Sequence, residues 1–245
     1  MTKAALRSFL KQSASVHLGK CGGHKAFVTR TGPRAIFKGL TKRLEASVFS
    51  KASLPRAALN NSSHRGWKGP NAGRRRGAAV DRQLTAIANG TFKASAHKHE
   101  LTNVALAVLE KHQLTPVCGQ RGVCNRQIAT AVDFVCVKGN ELWLVELKCG
   151  FEGVRSTAGK YKGKEAFFHG RFSACKDSAE HRHMAQLAAT VAMFERETET
   201  LSKLQRQHGV MTVKACVLYV CESGADLVPL PAWWRTRGKH LLAMI

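Results

Sequence analysis

The sequence predicts an α/β fold, a mixed β-sheet sandwiched between helices. Three observations predict it. Stretches with apolar residues every three or four positions are interspersed with short β-branched and aromatic runs. Two such runs, within "AVDFVCVKGNELWLVELKCG" (131–150), flank a Gly-Asn pair, a hairpin signal. A further run, "VKACVLYV" (213–220), is apolar on both faces, as suits a central strand covered on two sides.

In chain order, "GAAVDRQLTAIANG" (77–90) sets Val80, Leu84, Ile87 and Ala88 on one helical stripe, with Gly90 as its stop. "HELTNVALAVLEKHQ" (99–113) does the same with Leu101, Val104, Ala105, Val108 and Leu109. "TPVCGQRGVCNRQ" (115–127) reads as a turn-rich connection into the hairpin. Residues 154–176 form a basic stretch with Arg155, Lys160, Lys162, Lys164 and Arg171 against one acid, Glu165. Asp177 and Glu180 predict a capping box for a long helix reaching about Gln207, with Met184, Leu187, Ala188 and Val191 on its buried stripe. The chain closes with Pro229, Pro231 and a short helix from about Ala232.

Charge is uneven. The formal net charge is +23, which calls for a polyanionic partner, nucleic acid before an anionic membrane surface. Residues 1–76 hold 17 Lys/Arg and a single acid, Glu45, with little sustained periodicity. Residues 1–70 therefore read as a basic, mostly flexible arm, and 71–245 as the folded domain. Three uses of the arm stay open: nucleic-acid binding, an organelle (mitochondrial) transit segment at "MTKAALRSFLKQSASV", and a nuclear address at "GRRRG". No apolar stretch approaches the roughly 20 residues of a membrane span. No secretory signal is visible, so the expected setting is intracellular, in the nucleus or another DNA-containing compartment. The eight cysteines include no CxxC pair; Cys118/Cys124 and Cys216/Cys221 are too widely spaced for a common zinc knuckle. Cys136, Cys149 and Cys216 read as small apolar fillers in or beside strands. The pairs His97/His99 and His181/His183 lack a third ligand at suitable spacing and read as solvated or DNA-facing.

Within the hairpin stand charges that a core strand should not carry. A turn centred between Gly139 and Asn140 pairs residues whose numbers sum to 279, so Asp133 faces Glu146, and Lys148 shares their side of the sheet. Like charges placed opposite each other destabilise a sheet, and an unpaired buried carboxylate is costly. A divalent cation reverses both penalties, because carboxylate oxygens are the ligands that Mg²⁺ prefers.

Asp133 followed by Glu146-Leu147-Lys148 is the pattern D-x(12)-E-x-K, which resembles the PD-(D/E)XK nuclease superfamily; Val132 stands where the proline of the name would be. "GAAVD" resembles the helical motif of the RecB-type and lambda-exonuclease-like branch, with Asp81 at the acid or histidine position. "HRHMAQLAATVAMF" resembles that branch's glutamine-bearing helix, with Gln186 at the glutamine and Thr190 where tyrosine is usual. The resemblance spans residues 77–221. It implies a restriction-endonuclease-like core of α-β-β-β-α-β order and a metal-dependent deoxyribonuclease, an exonuclease in the first instance, with low sequence specificity, serving DNA processing, recombination or repair. It implies Mg²⁺ or Mn²⁺ held by Asp133, Glu146, the Leu147 carbonyl and Asp81, with Lys148 and Gln186 completing the catalytic set. Arg155, Lys160, Lys162 and Lys164 are expected to contact phosphates irrespective of base sequence. A nuclease-inactive DNA- or RNA-binding or packaging protein on the same fold is the competing expectation.

Overall fold

Eight strands join in one mixed sheet in the computed structural model, which describes residues 2–21, 24–30, 35–55, 72–151 and 153–245. β1 (Val16–Cys21), β2 (His24–Thr29) and β3 (Ile36–Gly39) form an antiparallel unit, and β3 joins the main sheet by pairing parallel to the start of β5 (Ile128–Lys138). β4 (Thr115–Asn125) lies antiparallel along the other side of β5. β6 (Glu141–Cys149) returns antiparallel to β5, β9 (Thr212–Cys221) runs parallel to β6, and β10 (Gly224–Pro229) closes the edge. Within the β6–β9 connection, β7 (Lys160–Tyr161) and β8 (Lys164–Glu165) make a separate small hairpin.

Helices cover both faces, and alternation along β9 shows how the core divides. Ala215, Val217 and Tyr219 enter a core built with α1 (Lys3–Gln12), α2 (Leu40–Ser47), α5 (Ala179–Glu195) and α7 (Ala232–Met244). Cys216, Leu218 and Val220 point the other way, into a core built with α3 (Ala72–Ala88) and α4 (Glu100–Lys111). Of the stripes expected on α3, α4 and α5, Val80, Leu84 and Ala88, Leu101, Ala105 and Leu109, and Met184, Leu187, Ala188 and Val191 are buried, while Ile87, Val104 and Val108 are half-buried. Cys136 and Cys216 are buried as core fillers. Among the described residues no helix is long and apolar enough to cross a membrane.

Four expectations need correction. The basic arm is folded over its described part: Leu6 and Leu10 of α1 and Leu40 and Leu44 of α2 are 0–1% exposed. Each pair is spaced i,i+4, so a single apolar stripe docks; Lys3 and Lys42 face outward, while Arg7 donates to the Ala88 and Val117 carbonyls and Arg43 to the Ile245 carbonyl. The buried Asp177 ties this segment down, accepting from the Ser50 backbone N–H (2.8 Å), the Ser50 hydroxyl (2.6 Å) and Arg182. Asp177 is therefore not a helix cap; Ser178 caps α5 by accepting from the His181 N–H. Residues 1, 22–23, 31–34 and 56–70 of the expected arm lie outside the described residues. "GRRRG" belongs to the first turns of α3, and Arg76 there is buried against Glu222 at 2.6 Å.

The expected turn-rich segment is the strand β4. Its glycines serve close approach rather than turning: a Cβ on Gly119 would meet the Thr85 Cα of α3 at 2.9 Å, and one on Gly122 would meet the Val16 carbonyl oxygen at 2.2 Å. The expected single long helix is two, α5 and α6 (Thr198–His208), broken where Glu197 (φ −80°, ψ 62°) leaves helical geometry to meet the buried Arg121 of β4.

Candidate active site

Hairpin register positions the acids. Gly139 takes φ +57° in a two-residue turn, and the β5–β6 ladder runs from Lys138↔Glu141 to Phe134↔Val145, the expected sum of 279. The ladder ends one position before Asp133 and Glu146. Beyond it β6 stays paired with β9 and leaves β5, so a gap opens between β6 and β3. The Asp133 carboxylate fills that gap as a backbone acceptor would, taking the Leu147 N–H at 2.7 Å.

β5 also changes phase here. Val132 packs in the core under α5 and Phe134 in the core under α3, although residues two apart in a regular strand share a face. Opposite Asp133 in β4, between the pairs Gly119↔Phe134 and Arg121↔Val132, stands Gln120 with φ +53°, a left-handed backbone that a non-glycine residue rarely adopts. Its side chain donates to Asp81 Oδ1 at 3.1 Å. Gln120 thus links Asp81 of α3 to the strand position facing Asp133. Sequence reading missed it, although the same register arithmetic, applied to β4 and β5, would have pointed to it.

Glu146, 3% exposed, is the hub of the other side. Its Oε1 accepts from Lys148 Nζ at 2.5 Å and from Gln186 Nε2 of α5 at 2.7 Å. Asp81, Asp133, Glu146, Leu147, Lys148 and Gln186 all line one open cleft of about 800 Å³. Arg74, Gly77, Ala78 and Asp81 of α3, at i, i+3, i+4 and i+7, form one wall, and Thr41, Leu54 and Pro55 of the N-terminal segment form another.

The electrostatics are those of crowded acids. Burial, then repulsion by Glu146, pushes the Asp133 carboxyl well above its ordinary range, with Lys148 opposing. Burial also raises Asp81, partly offset by its bond from Gln120, while Glu146 raises it further. Burial pulls the Lys148 ammonium down, but Glu146 and Asp133 more than offset this and leave it above its ordinary value. Among the described residues no three Asp, Glu, His or Cys side chains gather closely enough to cage an ion alone.

The expected phosphate contacts divide. Arg155 is committed elsewhere: it donates to Asp226 at 2.6 Å and lies over the Tyr219 ring at 4.8 Å. Lys160, Lys162 and Lys164 are exposed on the β7–β8 hairpin. Among the paired histidines, His99 caps α4 and His183 lies against Tyr219 and Phe151. No protein-family model matches the chain, and no curated protein or solved structure matches it.

Proposed function

We propose that this chain is a metal-dependent nuclease of the PD-(D/E)XK kind that hydrolyses phosphodiester bonds in DNA with little sequence preference, as an exonuclease in DNA processing, recombination or repair. The observation that carries the reading is the convergence of Asp133, Glu146, Lys148 and Gln186, from β5, β6 and α5, in one cleft. Element order supports it: with α4 inserted before β4 and α6 before β9, helix α3, the antiparallel strands β4, β5 and β6, helix α5 and then β9 parallel to β6 follow the α-β-β-β-α-β sequence that the resemblance implies.

A hard divalent cation, Mg²⁺ or Mn²⁺, fits the acids, since Asp133 and Glu146 repel each other at the cleft floor and carboxylate oxygens are its preferred ligands. Asp133, Glu146, the Leu147 carbonyl and Asp81, which line the same cleft, would hold it. When bound, the ion lowers the pKa of a coordinated water and draws charge from the phosphoryl oxygens. Lys148, kept cationic by Glu146 and Asp133, brings positive charge into the cleft and stabilises the negative charge that grows on the phosphoryl group. Gln186 fixes the Glu146 carboxylate through its 2.7 Å bond. The excess of cations elsewhere supplies phosphate contacts that read no base.

The test is digestion of double-stranded DNA, single-stranded DNA and RNA with Mg²⁺, using Asp133→Asn and Glu146→Gln, which remove a ligand charge and keep shape. Cleavage should fall by orders of magnitude in each, while DNA binding in metal-free buffer persists. Variants shown folded by circular dichroism and cutting at the unmodified rate would sink the reading. Binding without cleavage by the unmodified protein would assign a nucleic-acid-binding protein instead.

A further inference from the structure

The β7–β8 hairpin has no packing role. Every residue from Lys160 to Glu165 is exposed, and a two-stranded hairpin of this size is marginal alone. Its base is nevertheless clamped. Lys160 exchanges both backbone bonds with Ser53 (3.1 and 3.2 Å), the Gly159 N–H donates to the Asp177 carbonyl at 2.7 Å, and the Ala166 N–H donates to the Gly159 carbonyl at 2.9 Å. Its turn, Lys162-Gly163, has positive φ at both residues, 50° and 81°, as the tightest hairpin turns require. Anchored at its base and open to solvent from Lys160 to Glu165, the hairpin is placed to meet an external partner.

The prong's side chains define that contact. Tyr161 is 49% exposed. Lys162 Nζ stands 5.6 Å from its ring centroid. The hairpin's one acid, Glu165, is neutralised by Lys176 at 3.0 Å, which leaves the charges of Lys160, Lys162 and Lys164 unopposed within the hairpin. An aromatic face among cations fits an unpaired base with its flanking phosphates, because every base presents a π-face once it is unstacked. Position supports the fit. Ser53, the partner of Lys160, precedes Leu54 and Pro55, which line the cleft, so the prong is rooted in the cleft wall.

We propose that the β7–β8 hairpin captures a single nucleic-acid strand beside the cleft, with Tyr161 stacking on one unpaired base and Lys160, Lys162 and Lys164 pairing its phosphates. This deepens the nuclease reading and rests on it for the identity of the polyanion. It makes the preferred substrate one that offers an unpaired stretch: single-stranded DNA or a frayed end.

The test measures fluorescence anisotropy of a labelled oligothymidine and of a labelled blunt duplex, in metal-free buffer where nothing is cut. Tyr161→Ala should weaken oligothymidine binding roughly five- to hundredfold and leave duplex binding within about twofold. Tyr161→Phe should restore it. Changing all three lysines to Gln should weaken both and reduce the slope of log affinity against log salt by about 2 for the single strand. Single-strand affinity unchanged in Tyr161→Ala overturns the inference and leaves the nuclease reading standing. Full binding effects in a protein that never cuts with Mg²⁺ overturn the nuclease reading and leave the hairpin's role standing. An unmodified protein that ignores both oligonucleotides but binds phosphatidylserine vesicles overturns both.

Discussion

Arg121 and Glu197 give the most quantitative test of how the helix bearing Gln186 is held. The Arg121 side chain is wholly buried in β4, and Glu197, at the joint between α5 and α6, is 14% exposed. Two bonds join them, Nη1 to Oε1 at 3.2 Å and Nη2 to Oε2 at 2.5 Å. The guanidinium also donates to the Gly122 carbonyl at 3.1 Å and lies 4.8 Å from the Phe194 ring centroid. Glu197→Gln keeps the shape and removes the counter-charge, leaving a guanidinium that cannot reach water. Breaking one side of a buried pair costs about 3–5 kcal/mol. Against a total stability of about 5–15 kcal/mol, that loss is large. At roughly 2–4 °C per kcal/mol for a chain of this size, the melting temperature should drop by roughly 6–20 °C.

Arg121→Met should cost less, about 1–3 kcal/mol, because Glu197 retains contact with solvent. The double variant should regain much of what Glu197→Gln loses, since replacing Arg121 removes the buried charge that Glu197→Gln leaves without its counter-charge. Urea denaturation followed by circular dichroism measures all three. Glu197→Gln within about 1 kcal/mol of the unmodified protein, or a double variant losing the sum of the two singles, would refute the buried-pair account.

Two further outcomes are expected. Leu10→Ala, at a fully buried α1 position, should cost about 2–5 kcal/mol in urea denaturation, whereas a residue in a flexible arm would cost nothing. His183 is held well below its ordinary pKa of 6.5 by burial, then by Lys148 and Arg182, and lies 3.1 Å from the Tyr219 hydroxyl. A depressed histidine stabilises the fold fully above 6.5 and progressively less as pH falls through 6.5 toward the folded-state value. The melting-temperature advantage of the unmodified protein over His183→Gln should therefore shrink between pH 7.5 and about 5.5, and a constant gap would refute that sign.

The sequence by itself determined what depends on neighbours along the chain. The Gly139-Asn140 turn and the period of two dictated the β5–β6 register, and with it the meeting of Asp133, Glu146 and Lys148 at one end of a hairpin. The period of 3.6 dictated which faces of α3, α4 and α5 are buried. Tertiary structure decided what depends on residues far apart in sequence. Gly119 and Gly122 read locally as turn residues, because a glycine that turns and one that admits another backbone are the same letter; only the arrival of Thr85 and Val16 distinguishes them. The leucine pairs of α1 and α2 lay in a stretch whose cations suggested an arm, and it took the partners of Asp177 and the core around Leu6 to make it a folded wall of the cleft. Gln120, with its left-handed backbone, stands opposite Asp133 in β4 and reaches Asp81 of a helix far away in sequence. Glu197 breaks a helix for a charge 76 residues away. Propensity and periodicity carry no information about a buried counter-charge or a close backbone approach, because each exists only once the chain has folded on itself.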